Sequence, residues 1–121
     1  MKRLLVGITV LLVLAAVPTA TAGQRASSTL YGTVGPGDTI KLAAANGKAV
    51  IRLRPGRYTV IVRDKSTKHN FRITGPVNAA NKATSARFVG SVKWVVMLAI
   101  GGHSYGSDAG DGALKRRFRV G

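Results

Sequence analysis

Apolar and polar residues alternate along three segments in the middle of the chain. AVIRLR, residues 49–54, places its even-numbered side chains opposite its odd-numbered ones, and RYTVIVR, residues 57–63, repeats the pattern. A period of two residues is typical of a half-buried β-strand, so both segments are predicted as antiparallel strands. SVKWVVML, residues 91–98, predicts a third strand with Val92, Trp94, Val96 and Leu98 on one face.

Turn-forming residues separate these strands. GPG at 35–37, NG at 46–47 and PG at 55–56 lie roughly ten residues apart, and GP at 75–76 and GG at 101–102 follow at longer intervals. FRIT (71–74) and RFRV (117–120) are shorter candidate strands, and only residues 77–86 could hold a helical turn. This arrangement predicts an all-β sandwich of seven to eight short strands.

The N-terminus has the order of a secretory signal peptide. Lys2 and Arg3 precede an apolar run at 4–17, and small residues ending at Ala22 follow it. We therefore expect residues 1–22 to be removed and the protein to be secreted, periplasmic or held at the cell envelope. The alternative is an N-terminal membrane anchor, but the run is shorter than the roughly 20 apolar residues that a spanning helix needs, and Pro18 interrupts it.

The predicted mature chain, residues 23–121, is long enough for a single small domain. It contains no cysteine, so its stability has to come from packing and sheet hydrogen bonds rather than disulfides. The lack of cysteine also excludes thiol catalysis, iron–sulfur clusters and thiolate metal sites.

The mature chain is strongly basic. Without Lys2 and Arg3 it keeps 17 basic residues against four aspartates, a net charge of +13. Such a charge favours contact with anionic surfaces, and the last segment carries a dense cluster, Lys115, Arg116, Arg117 and Arg119. Two interpretations remain open: a solvated basic face that maintains solubility, or a weak polyanion-binding site. Export argues against sequence-specific nucleic-acid binding.

From residue 30 to residue 120 the chain resembles small exported cupredoxins of the plastocyanin/azurin family. GTVGPGDTIKL resembles the family's opening strands, and LRPGRYTVIVRDKSTKHNFRITGP resembles the segment that carries its first copper-binding histidine, here His69, with the asparagine that follows it. VKWVVML is similar to the strand before the copper loop. The resemblance implies a cupredoxin-like Greek-key β-sandwich.

The loop SDAGDGALKRRF, residues 107–118, departs from the family pattern at its ligand positions. The family places cysteine, histidine and methionine in this loop, and an ungapped match puts Ser107, Gly110 and Leu114 at those positions. A blue-copper site needs two histidines, a thiolate and a weak axial ligand. The resemblance therefore implies a copper loop that has lost its ligands, with His69 as a vestigial ligand, and we expect no cofactor. Copper is the cofactor if the family function survives.

The other candidate chemistries are weaker. His103 is expected to face solvent at the Gly101-Gly102 turn, too far along the chain from Ser107 to replace a ligand. Ser107, His69 and Asp108 have the residue types of a hydrolase triad, and the fold would bring Ser107 near His69. Adjacent residues on a strand face opposite sides, however, and the sequence predicts no nucleophile elbow. We therefore expect no enzymatic activity.

Two function classes follow. The favoured one is a monomeric, non-enzymatic binding or structural module that contacts an anionic cell-envelope polymer or another envelope protein. The alternative is a copper-binding or electron-transfer cupredoxin that uses His69 with replacement ligands.

Overall fold

The protein folds as a β-sandwich. The structure is a computed structural model and describes residues 28–110 and 114–121, so the predicted signal peptide lies outside the described residues. Within this part of the chain the strands are β1 (Ser28–Val34), β2 (Ile40–Ala44), β3 (Arg52–Leu53), β4 (Gly56–Asp64), β5 (Arg72–Thr74), β6 (Lys82–Ala83), β7 (Gly90–Leu98), β8 (Gly101–Gly106) and β9 (Lys115–Val120). A short 3₁₀ helix, Asn78–Ala80, precedes β6. No helix among the described residues is long and apolar enough to cross a lipid bilayer.

The strands form two sheets. One has four strands in the order β2-β1-β4-β7, and the other has five in the order β3-β9-β8-β5-β6. Most neighbours are antiparallel, but β1 runs parallel to β4, with Val34 opposite Asp64. The loops that follow β1 and β4 therefore begin at the same end of the sandwich.

The core lies between the sheets and follows the predicted alternation. In β4, Tyr58, Val60 and Val62 are buried, while the residues between them are partly or fully exposed. In β7, Val96 and Leu98 are buried on the predicted face. The prediction of these two strands from the period of two is confirmed.

AVIRLR does not form the single antiparallel strand predicted for it. Val50 is buried and its N–H donates to Leu42 O at 2.8 Å, in the four-stranded sheet, whereas Ile51 O accepts a hydrogen bond from Arg119 N at 2.9 Å, in the five-stranded sheet. The chain crosses between the sheets here, so the alternation breaks and Ile51 is 75% exposed. Only Arg52–Leu53 is a strand, and it is parallel to β9.

His103 is buried, and its prediction as a solvent-facing turn residue is wrong. The Gly101-Gly102 pair belongs to β8, and the inward positions of β8 are His103 and Tyr105. The His103 ring stacks on Phe118 at 5.1 Å, its Nδ1 lies 3.2 Å from Gly101 O, and its Nε2 has no hydrogen-bond partner within the described residues. A side chain at Gly75 would collide with this ring, so only glycine fits there.

Candidate functional site

Three loops meet at one end of the sandwich and bring together Asp38, His69 and Ser107. The first two loops start side by side because β1 and β4 are parallel neighbours, and Lys65 N donates to Val34 O at 2.8 Å where they diverge. The loop after β8 supplies Ser107. Asp38 was not among the predicted site residues.

Both ring nitrogens of His69 are engaged. The side chain is 8% exposed, Nδ1 lies 3.0 Å from Ser107 Oγ, and Nε2 lies 2.7 Å from Asp38 Oδ1. Because an ionised carboxylate only accepts hydrogen bonds, Nε2 carries a proton and donates it to Asp38. This hydrogen bond, together with Lys68 at 3.8 Å, lowers the pKa of Asp38 below its ordinary value.

The Ser107 hydroxyl has a complete set of hydrogen bonds. Its oxygen accepts from Ala109 N at 3.1 Å and from Asn70 N at 3.3 Å, and its proton has two acceptors within reach, His69 Nδ1 at 3.0 Å and the more distant Asn70 Oδ1 at 3.4 Å. A hydroxyl has two acceptor lone pairs and one donor proton, so these contacts use its full hydrogen-bonding capacity. Asp108 does not join Ser107 and His69 in a triad, as expected from the sequence, because Asp38 and not Asp108 is hydrogen-bonded to His69.

Asn70 ties the His69 loop to the Ser107 loop. Its Nδ2 donates to Asp108 Oδ2 and to Thr84 O, both at 2.9 Å, and its Oδ1 accepts from Asp108 N at 2.7 Å. The side chain is buried, at 3% exposure. The reciprocal bonds between Asn70 and Asp108 fix the position of Ser107 beside His69.

Asp108 also forms an ion pair with Arg72. Arg72 Nε and Nη2 donate to its two carboxylate oxygens at 2.7 and 2.9 Å, a bidentate geometry. The hydrogen bond from Arg72, followed by that from Asn70, lowers the pKa of Asp108. The loop therefore depends on an ionised carboxylate.

The stability of the protein is expected to fall in acid because of Asp38 and Asp108. Their folded pKa values lie below the unfolded value of about 3.9. Their contribution is therefore present above that value and is lost as the pH falls through the folded values. Urea unfolding at pH 7 and pH 3 measures the loss.

The Asp108→Asn variant keeps the shape of the side chain but removes its charge. It should lower the free energy of unfolding at pH 7 by less than about 1 kcal/mol, because the Arg72–Asp108 pair is half exposed, and it should weaken the pH dependence of stability. An unchanged pH dependence in this variant would contradict the assignment.

Gly110 and Leu114, the two other positions predicted to have lost a ligand, offer no donor side chain. Gly110 has φ +80° and open space around its Cα hydrogens. Leu114 is buried, and its carbonyl accepts a hydrogen bond from Ser107 N at 3.0 Å, which closes the loop. Asp111, part of the quoted loop, lies outside the described residues.

These residues do not fit a type 1 copper centre. That centre needs a thiolate and two imidazoles, whereas here the Ser107 hydroxyl faces the imidazole of His69. His103 does not supply the second imidazole, because it belongs to β8 and is buried against Phe118. Among residues 28–110 and 114–121, no group of three or more histidine, cysteine or acidic side chains could hold a metal ion.

The four predicted polyanion-binding residues do not share one face. Lys115, Arg117 and Arg119 alternate along β9 with the buried Phe118 and Val120 and point away from the core. Arg116 lies on the other side of the strand, and its Nη1 donates to Lys115 O at 3.1 Å. The structure therefore groups three of the four on the outer face of the five-stranded sheet.

Asp38 could not be identified from the sequence pattern alone. It belongs to GPGDT, a loop whose residues predict only a turn. The signal that would have found it is the parallel pairing of β1 with β4, which places the loops after both strands at one edge. That pairing is long-range and has no local signature.

No protein-family model matches the chain, and no curated protein matches it. Solved structures of rusticyanin are similar to it. Reduced rusticyanin superposes with a TM-score of 0.58 at 13% identity, covering 77% of this chain and 78% of that one. A second structure, described as the copper protein rusticyanin, has a TM-score of 0.58 at 13% identity, with 77% and 76% covered. Rusticyanin from Thiobacillus ferrooxidans has a TM-score of 0.50 at 16% identity, covering 77% of this chain and 76% of that one. The chain therefore has the predicted cupredoxin-like β-sandwich fold.

Proposed function

We propose that this protein is an exported, non-enzymatic binding module with a degenerate type 1 copper site. In this proposal His69 is a structural link between loops rather than a metal ligand. The observation that carries the proposal is the hydrogen bonding of His69, whose Nδ1 faces Ser107 and whose Nε2 faces Asp38.

A metal ion and the Ser107 hydroxyl compete for His69 Nδ1. A metal at this nitrogen has to displace the Ser107 hydroxyl, and Gly110 and Leu114 provide no further donor side chain. A neutral hydroxyl is a poor replacement for thiolate, since copper sites of this class depend on soft sulfur. Metal binding here would lose existing hydrogen bonds and gain one imidazole bond.

The binding role is supported by charge. The mature chain carries a net charge of +13, which attracts anionic partners over a Debye length of about 8 to 10 Å. The partner in this proposal is an anionic polymer of the cell envelope, and another envelope protein is the second candidate partner.

A second candidate function is copper binding with replacement ligands. Asp38 favours it, because this carboxylate lies at His69 and its side chain is 69% exposed. An imidazole and one carboxylate could hold Cu(II) weakly after rotation of Asp38.

Copper titration separates the two candidates. Protein beginning at Gly23 is expected to bind Cu(II) no better than a surface histidine does and to develop no intense visible band, because no thiolate is present. Asp38→Asn and His69→Gln should leave the weak binding nearly unchanged. A stoichiometric site that withstands a competing chelator and is lost in both variants, while they remain folded by circular dichroism, would contradict the proposal.

A further inference from the structure

The outer face of the five-stranded sheet contains a trough along β8. The outward positions of β8 are Gly102, Ser104 and Gly106, which have small side chains or none. The facing residues on β9 are long and basic: Arg119 pairs with Gly102, Arg117 with Ser104 and Lys115 with Gly106. The basic trough is defined here by this floor and this wall.

The second wall comes from β5 and the turn after it. Thr74 pairs with Ser104, and Arg72 pairs with Gly106. Two adjoining depressions, of about 710 and 260 Å³, follow the floor and share Thr74, Ser104 and Lys115. Six residues of β8 correspond to about 20 Å at roughly 3.3 Å per residue, so the trough fits a linear ligand better than a compact one.

The cations of the β9 wall have no carboxylate partner in the described part of the chain. Asp38 is bound to His69 and Lys68, and Asp108 to Arg72. Asp64 is 1% exposed in the core. The row continues onto β3, because Arg52 pairs with Arg119, although Arg52 Nε already donates a hydrogen bond to Gly121 O at 2.9 Å. The wall therefore presents uncompensated positive charge along its length.

The spacing of the wall cations indicates the repeat of the ligand. Alternate residues of a strand lie about 6.8 Å apart and are separated by six backbone bonds. In a phosphodiester chain built on a three-carbon alcohol, six bonds also separate one phosphorus from the next. The spacing of its phosphates is therefore similar to the spacing of the cations on β9. Guanidinium groups bind phosphate oxygens in bidentate geometry, and Arg117 and Arg119 provide two of them.

The trough lacks the aromatic platform of a single-stranded nucleic-acid site. Such sites stack bases on exposed aromatic side chains. The aromatic residues of β8 and β9, Tyr105 and Phe118, are each 4% exposed and face the core. The described residues of this outer face include no aromatic side chain, so the trough favours an anionic chain that has no bases.

We propose that the basic trough binds an extended polyol phosphodiester chain. Lys115, Arg117 and Arg119 contact successive phosphates, Arg52 extends the row, and Ser104 and Thr74 line the floor and far wall. The inference rests on the binding role proposed above and names its ligand class. It is tested separately from the copper titration, because none of the four basic residues contacts His69, although Ser107, which does, lines the smaller depression.

A synthetic glycerol phosphate oligomer of about ten repeats is the probe, and its affinity is measured by calorimetry at several salt concentrations. Four phosphate contacts predict a slope of log K against log salt of about −3, from roughly −0.7 per contact. Arg117→Gln with Arg119→Gln should weaken binding at least about tenfold and reduce the slope by about 1.4. The matched control, Arg57→Gln with Arg63→Gln, removes equal charge from exposed positions of β4 and should change affinity less than about twofold.

A variant without any charge change tests the shape of the site. Ser104→Tyr fills the floor, and strands accept tyrosine well, so affinity should fall about tenfold if ligand occupies the trough. An unchanged affinity in this variant, or an equal loss of affinity in the β4 control, would show that the ligand is attracted by diffuse charge. That result would contradict binding in the basic trough but would leave the general binding role in place. Tighter binding of single-stranded DNA or polygalacturonate with equal charge would overturn the ligand class.

Discussion

Protein that carries Ser107→Cys, Gly110→His and Leu114→Met together is expected to turn blue with Cu(II). The hydroxyl at position 107 lies 3.0 Å from His69 Nδ1, so a thiol there would share a metal with the imidazole. The other two substitutions supply the second imidazole and the axial thioether of a type 1 site. This result is expected on the prediction that the loop keeps the copper-loop frame implied by the family resemblance, so that three side chains complete the site. The visible spectrum of the copper-loaded variant is the measurement.

The cost of these changes is concentrated at Gly110. Its φ of +80° would strain a side chain by about 1 to 2 kcal/mol, although an added Cβ meets no atom within 4 Å. Leu114→Met nearly conserves volume and should cost less than about 1.5 kcal/mol. The control with Gly110→His and Leu114→Met but without the thiol should stay colourless. A folded triple variant with a reactive thiol and no blue colour would show that this loop does not have the copper-loop frame.

Asn70→Ala is expected to destabilise the protein by about 2 to 4 kcal/mol, the largest effect predicted for one substitution. The change removes three close hydrogen bonds, to Asp108 Oδ2, to Thr84 O and from Asp108 N. Each buried polar group left without a partner costs about 1 to 3 kcal/mol, and the Ser107 loop loses its anchor. The midpoint and slope of urea unfolding give the change in the free energy of unfolding.

The matched control for Asn70 is Asn78→Ala, at an exposed position of the 3₁₀ helix. Exposed substitutions of this kind usually change stability by less than about 0.5 kcal/mol. A loss below about 1 kcal/mol in Asn70→Ala would mean that the two loops are held together by other contacts.

Strands with one buried face could be predicted from the sequence, because the alternation of apolar and polar residues is visible within a few neighbouring residues. β4 and β7 are such strands, and each keeps one partner sheet along its length. Residues 49–54 alternate as clearly but cross from one sheet to the other after Val50. Local alternation cannot indicate where a strand changes its partner, so this prediction was wrong.

The site was predictable only in part. Loop spacing and family resemblance indicated that Ser107 lies near His69, and the two side chains are hydrogen-bonded. Their origin as copper-ligand positions stays a prediction. Asp38 was missed because its contact depends on the parallel pairing of β1 with β4. His103 was misassigned because a glycine pair predicts a turn, whereas β8 begins at Gly101, whose φ is +140°, and runs through Gly102 to Gly106.

The central claim is that His69 is held by hydrogen bonds in the place where a cupredoxin would hold a metal. A crystal structure of the protein grown with excess Cu(II), with anomalous diffraction recorded at the copper edge, tests it most directly. We expect no anomalous peak at His69, with Nδ1 still hydrogen-bonded to Ser107 Oγ at about 3.0 Å and Nε2 to Asp38 at about 2.7 Å. An anomalous peak at bonding distance from Nδ1, with the Ser107 hydroxyl displaced, would contradict it.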